Sequence, residues 1–437
     1  MSFLVGVLVL VVGLVVSIAL HEVGHLLPAK RFGVRVSQYM IGFGPTLWSR
    51  RRGETEYGVK AVPLGGFVRM TGMYPPARAG ARVRRRADGR ATLVEEAREY
   101  SLAEVEPGQE HRTFYALSVP KKLVVMLGGP VMNLLIAVVL LAVIVTGLGL
   151  PAYTATLGTV QQCLPADPAA TACAASDPAA PGATAGLRPG DVVREWDGTP
   201  TSTWEEVSAS IAASGTGAAR VVVERDGAEV ALTVTPALAE RPVVSGGEVV
   251  LDEAGEPRTE QRPFVGIGPA VELVTQPLSA VPGHVAESVT RTVGVVLTLP
   301  QRLVSIAQAA FGEGERDPGV VGLVGVGRFA GEIASLEGED YGLRERSVDM
   351  LGLLASLNLA LFVFNLLPLL PLDGGHVAGA LWEGARRRLA RWRGRTDPGP
   401  VDVARLLPLT YVVVVGMAAM SLLLAYADIV RPVSLTG

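Results

Sequence analysis

His21-Glu22-Val23-Gly24-His25 sets two imidazoles four residues apart, with a carboxylate beside the first. On a helix that spacing puts both histidines on one face, where they can share a zinc ion while the glutamate takes a proton from water held there. The setting sharpens the signal, because residues 1 to 20 carry no charged side chain and Leu26-Leu27 resume the apolar run. An ionised side chain at bilayer depth costs roughly 2.5 to 3.5 kcal/mol, so a purely structural account of the trio is weak. The chain has only five histidines in 437 residues, which makes a chance match an equally poor explanation.

The elements that must hold this motif follow from composition. At 49% hydrophobic and 19% charged, the chain is too apolar for an ordinary soluble protein and too charged to lie wholly in lipid. Four charge-free runs reach the length of about 20 residues that a spanning helix needs: 1 to 20 with its extension, 123 to 150, 350 to 372 less one acidic neighbour, and 406 to 427. The first is not read as a secretory signal, since it lacks a basic leading region and a small-residue cleavage site, and cleavage would discard the histidines. Residues 285 to 311 are broken by Glu287, Arg291 and Arg302 and interrupted by Pro300, so an amphipathic segment lying near the membrane surface is expected there.

Charge distribution orients these spans. Residues 28 to 122 hold 18 Lys and Arg against 9 Asp and Glu, and residues 381 to 407 hold 7 against 3. Residues 150 to 350 hold 13 basic against 27 acidic side chains. The basic loops mark the cytosolic side, which puts both termini and the large acidic segment outside the cytosol and the two histidines near the cytosolic face of the membrane. Arg82-Val83-Arg84-Arg85-Arg86 beside a membrane is read as facing anionic lipid, and no nucleic-acid partner is expected. Cys163 and Cys173 lie in the outer segment, where a disulfide and two free thiols are both open readings.

The expected fold is a polytopic α-helical membrane protein with four transmembrane helices, a membrane-associated β-hairpin and an extracytoplasmic PDZ-like α+β domain. Its parts are a first span at 1–27, a cytosolic segment at 28–121, a second span at 122–150, a linker at 151–184, the PDZ-like domain at 185–268, an amphipathic and glycine-rich segment at 269–349, a third span at 350–376, a basic loop at 377–405 and a fourth span at 406–428. Within the cytosolic segment, Thr46 to Arg52 and Thr55 to Val62 flank Gly53-Glu54, predicting a hairpin within about 39–70 that dips toward the membrane. The charged stretch 77–109, short of aromatics, is expected to be a mobile insertion. In the outer domain Asp226-Gly227 between two alternating runs is a strong hairpin signal, Ala185 to Asp191 forms a glycine-rich turn, 239 to 262 reads as a polar hairpin insertion and Phe264 to Ile267 as a closing strand.

A catalytic zinc takes three protein ligands plus water, so one ligand is missing from the helical motif. Depth narrows the search: His111 falls in a charged cytosolic loop, His284 on the opposite side and Asp428 at the outer end of the last span. Asp373 and His376 remain, at the inner end of the third span. Asp373 is preferred, because the run before it is uncharged and Pro368 and Pro371 would unwind the helix just ahead of it. The competing reading is an aspartate that caps a helix starting at Gly374. Asn133 and Asn365 converge on the same depth and are candidates for binding substrate backbone or an oxyanion, with Asn358 a further candidate, although amides in lipid more often hold helices together.

This ordered set resembles the site-2 protease family, in the branch of the bacterial regulator of sigma-E protease. It comprises an intramembrane HExxH, Gly128-Gly129-Pro130 followed by Asn133, an outer PDZ-like domain, and Asn365 to Pro368 leading into Leu372-Asp373-Gly374-Gly375. Ile41 to Pro45 and Val62 to Met70 are similar to that family's membrane re-entrant β-loop, and Gly319 to Gly331 to its glycine segment before the third span. The resemblance implies His21, His25 and Asp373 as Zn2+ ligands, Glu22 as general base, and single-span transmembrane substrates, with anti-sigma factors or leftover signal peptides as candidates. The PDZ-like domain would bind a peptide or protein end. Two other functions stand against this: a membrane-anchored PDZ adaptor with a structural metal, which needs a fourth protein ligand such as His376, and a metal transporter, for which the spans carry too few carboxylates.

Overall fold

In a computed structural model of the chain, residues 2–77, 91–164, 173–174, 177–245, 248–251, 255, 257–312, 316–317, 319–338 and 341–434 are described. The first apolar run folds as α1 (Ser2–Arg31), continuous through the histidines and closed by Lys30 and Arg31, whose charges suit a helix C-terminus. Two strands follow, β1 (Val36–Arg52) and β2 (Thr55–Met70), turning at Gly53 with φ +62°. The two expected arms are present, but each strand runs further than its turn chemistry indicates. Met40 lies opposite both Phe67 and Gly58, so the first half of β1 is flanked on both sides by β2 and residues 66–70 form a sheet edge. Tyr39 donates its hydroxyl to the Ala19 carbonyl at 2.8 Å, fastening this sheet to α1.

Of the insertion expected at 77–109, residues 78–90 lie outside the described residues, and the part beyond them contains a helix, α2 (Leu93–Ala103). Ion pairs favour structure here where aromatic content does not: Arg98 pairs with Glu95 and with Asp402, and Arg69 of β2 with Glu104 at 2.9 Å. The second span is α3 (Val119–Val143), extended by a wider turn over Ile144–Leu148.

Residues 149–275 form a compact unit of their own. Its strands and helices are β3 (Leu150–Val160), α4 (Pro181–Thr184), β4 (Val192–Trp196), β5 (Thr199–Pro200), α5 (Trp204–Ser214), β6 (Ala219–Arg225), β7 (Ala228–Val234), β8 (Ala237–Pro242), β9 (Val244–Ser245), β10 (Glu248–Val249), β11 (Thr259–Phe264) and β12 (Ile267–Val274). The main sheet runs β12-β3-β4-β6-β7 with β5 on β4, around a core containing Trp196, Val193, Val207, Val221 and Val223. The expected domain start at 185 is therefore too late. β3, assigned to the linker, pairs with β12 from Leu150↔Val274 to Val160↔Ile267, a long-range register that no local signal reveals. The polar hairpin at 239–262 is realised by β8 and β11, and the closing strand is split at Gly266, whose φ of +79° separates β11 from β12. Cys163 and Cys173 are disulfide-bonded, with Cα atoms 5.9 Å apart.

In this unit Asp191 carries a stability prediction. Burial pushes its carboxyl up, but Arg225, at 2.7 Å through two nitrogens, and the Arg188 N–H at 2.8 Å outweigh that and hold it below the ordinary value of 3.8. A depressed carboxylate contributes stability that is present above its unfolded pKa and is lost as pH falls through the folded one. Protection of the β4 and β6 amides against hydrogen exchange, relative to their intrinsic exchange rates at each pH, should accordingly fall below about pH 4 in the full-length protein, and Asp191→Ala should cost about 2 kcal/mol at neutral pH. If exchange in the variant matches the parent at pH 7, the pair contributes nothing.

The remaining elements are α6 (Val281–Phe311), α7 (Leu323–Ser335), α8 (Leu343–Asn365), α9 (Asp373–Trp392) and α10 (Leu407–Val430). The third span expected at 350–376 is two helices: α8 stops at Asn365, residues 366–372 form a loop, and α9 starts at Asp373. Pro368 and Pro371 lack the N–H a continuous helix needs. Gly374 and Gly375 let that loop fold back tightly, since a Cβ on Gly375 would come within 2.7 Å of the Leu370 nitrogen.

Backbone contacts join the bundle. α1 meets α3 where Gly24 faces Gly128, with no room for a Cβ on either. α8 lies beside α1, Leu354 against Gly13 and the Asn358 amide donating to Ser17 Oγ at 3.0 Å. α7 packs on the start of α1, and the buried Asp428 of α10 accepts from Gly325 N–H at 2.7 Å and pairs with Arg316. A Cβ on Gly322 or Gly325 would strike that carboxylate, which accounts for two glycines of the 319–331 segment.

Among the described residues, five helices are long and apolar enough to cross a membrane, one more than expected, the addition being 278–311 with α6. Ahead of α6, Gln276 N–H reaches the Val145 carbonyl at 2.8 Å, and near its end Ile306 and Ala310 pack with Leu424 and Ala427. Both contacts lie at the end of the bundle remote from His21 and His25.

Candidate metal centre

Three elements meet at the histidines. α1 supplies His21 and His25 one turn apart, and α9 supplies Asp373 from its first turn, where the loop after α8 delivers it. Asp373 Oδ2 lies 3.4 Å from His21 Nε2 and 3.3 Å from His25 Nε2, and the two Nε2 atoms are 3.3 Å apart. His25 is oriented by its other nitrogen, Nδ1, which donates to the Val125 carbonyl of α3 at 2.8 Å. Such a bond sets the tautomer that leaves Nε2 free to ligate.

The chemistry of this set fits zinc. A tetrahedron of zinc bonds of about 2.0 to 2.1 Å has edges of about 3.3 Å, and the three observed separations match that edge. Among the described residues these three side chains form the one group with donor atoms all within 4.8 Å of one another. Asp373 Oδ2 is buried and has no hydrogen-bond partner among the described residues. The cradle is closed by Gly129, where a Cβ would lie 2.7 Å from His21 Nε2 and collide with His25 Nε2.

Gly129 was visible in the sequence only as part of the Gly-Gly-Pro that precedes Asn133; its role depends on which helix crosses α1. Gly129→Ala is expected to lower zinc content without unfolding the bundle, as measured by metal analysis after dialysis and by circular dichroism. Gly147→Ala, where a Cβ meets nothing within 4 Å, serves as control. Equal zinc in the two variants would reject the cradle.

Glu22 is buried beside His21, and its Cγ faces Gly66 on the edge of β2, where a Cβ would lie at 2.9 Å. Gly66 is a second residue the sequence motif left without a role. Asn133, one turn beyond Gly129 on α3, is fully buried with neither amide atom hydrogen-bonded. Asn365 is the last residue of α8, partly buried ahead of the loop to Asp373. Asn358 is differently engaged: its amide nitrogen is taken up by Ser17 and by the Leu354 carbonyl at 2.8 Å, which ties α8 to α1. His376 forms a T-shaped pair with Phe114, centroids 6.5 Å apart, and is not in the metal-ligating group.

Comparison with known proteins agrees with this chemistry. The model of Peptidase family M50 matches residues 9–396. Zinc metalloprotease Rip1 of Mycobacterium tuberculosis (strain ATCC 25618 / H37Rv) is 35% identical over 457 aligned positions that cover 100% of both chains. Rip1 of Mycolicibacterium smegmatis is 32% identical over 451 positions, again covering both chains fully. Metalloprotease MmpA of Caulobacter vibrioides is 28% identical over 89% of this chain and 90% of its own.

Proposed function

The chain belongs to Peptidase family M50, the site-2 proteases, and from that premise we propose that it cuts single-span membrane proteins within their transmembrane segments. It is a membrane-embedded zinc metalloprotease; the finer reading concerns which residues act and on what. The observation that carries it is the convergence of His21, His25 and Asp373 at 3.3 to 3.4 Å from two separate elements.

Zinc held by these three would supply a Lewis acid for the attacking water and the scissile carbonyl. Glu22, buried beside them, accepts the proton of the attacking water and later returns it to the leaving amine. The unpaired Asn133 amide is suited to donate to the developing oxyanion or to substrate backbone, with Asn365 in a similar part and Asn358 chiefly joining helices. A transmembrane helix hides its carbonyls, so the substrate has to be extended before attack. The β2 edge at Gly66, against Glu22, would take it up as an added strand.

An adaptor with a structural metal would need a fourth protein ligand, and the cluster among the described residues has three.

Four spans, α1, α3, α8 and α10, are the reading favoured by both ends of α6 packing at one end of the bundle, with α6 at the membrane surface. The basic loops then lie in the cytosol, with both termini and the 149–275 unit outside. That unit is read as a PDZ-like domain binding a peptide or protein end, and the substrates as anti-sigma factors already trimmed outside, with membrane lipid the other partner.

The test is membrane proteomics of cells carrying the parent chain or Glu22→Gln. Single-span proteins should accumulate as shortened stubs in the variant, and identical membrane profiles would reject the function.

A further inference from the structure

Asp373 reaches the histidines from a helix that backbone continuity does not hold in register. α9 follows a seven-residue loop over 366–372, and its apolar side chains alone would let it slide along α3. A shift of one residue is about 1.5 Å along the axis, enough to lose the 3.3 and 3.4 Å approaches to His25 and His21. Something must pin it.

The face of α9 that presents Asp373 continues through Val377 and Ala380 to Glu383, which is 2% exposed. Lys122 of α3, 5% exposed, donates to both Glu383 oxygens, at 2.8 and 3.1 Å. The same carboxylate accepts from Val401 N–H at 3.1 Å and pairs with Arg387 at 3.0 Å. Next to it Gly384 lies against Val119, where a Cβ would meet the valine methyl at 3.2 Å. Lys122 precedes Gly129 by seven residues, about 10 Å, and Glu383 follows Asp373 by ten, about 15 Å. α9 thus runs back along α3, with the metal cradle at one end of the contact and a buried ion pair at the other.

We propose that Lys122 and Glu383 are positioning residues: their buried ion pair holds α9 in the register in which Asp373 meets His21 and His25. A buried ion pair suits this task better than it serves stability, because apolar contacts tolerate sliding whereas a charge moved away from its partner in a dry interface does not. The proposal rests on Asp373 being a zinc ligand.

Zinc affinity of the full-length chain in detergent, measured by chelator competition on the folded, monodisperse fraction, separates register from stability. Lys122→Met is expected to bind zinc about 10-fold more weakly, the lower end of what loss of a supporting group around a metal costs. Lys122→Arg, which keeps the charge, should recover most of the loss. The double variant Lys122→Met/Glu383→Leu replaces the pair by apolar groups and should restore the melting temperature while zinc binding stays weak. If Lys122→Met does not fold, the double variant carries the same test. Affinity within two-fold of the parent in either variant overturns the proposal, provided Asp373→Ala loses zinc. Should Asp373→Ala keep the parent affinity, the ligand assignment itself fails and the clasp has nothing to position.

Discussion

Glu22→Gln is expected to retain zinc and lose cleavage of a single-span reporter by about 10² to 10⁴-fold, the usual contribution of a positioned general base. The amide has the volume and shape of the carboxylate, so the packing of Glu22 Cγ against Gly66 survives and the sheet edge stays where it is. Only proton acceptance is removed. His21, His25 and Asp373 are untouched, which is why metal content, measured on the same preparation, should equal that of the parent. Cleavage at the parent rate would exclude Glu22 as the base, and loss of zinc together with activity would mean that it helps hold the ion.

Asp373→Ala should have the opposite signature, losing zinc first and activity in consequence. It removes the one carboxylate of the set and the only ligand that comes from outside α1. Two histidines four apart then remain as a two-ligand site. The expected loss of affinity exceeds the 10- to 100-fold typical for a group that merely hydrogen-bonds a ligand. Asp373→Asn, which keeps an oxygen in place without its charge, should fall between. Parent-level zinc occupancy in Asp373→Ala, at limiting metal, would remove the aspartate from the centre.

The histidines, the glutamate and Asp373 were legible because their cost in lipid leaves few alternatives, and because depth along an apolar run can be counted from residue spacing. Of the three asparagines named with them, the structure leaves Asn133 unpaired and engages Asn358 with Ser17, a distinction that spacing seven residues before Asn365 could not make. The glycines at 24, 66, 128 and 129 were equally invisible as site residues, since a missing Cβ acquires meaning only from what stands opposite it.

By itself the sequence determined what depends on local and one-dimensional properties: an apolar helix bearing two histidines and a glutamate, a hairpin turning at Gly53-Glu54, and a proline-broken approach to Asp373. Tertiary structure decided what depends on long-range register. It joined β3 to β12 across more than a hundred residues, split the expected third span into α8 and α9, and put both ends of α6 at one end of the bundle. It also brought Lys122 to Glu383 and Gly129 to the imidazoles. The physical reason is that hydrophobic patterning tells which face of a helix is buried but not how far the helix slides along its neighbour. That last choice rests with close glycine contacts and buried ion pairs, whose partners meet only in the folded chain.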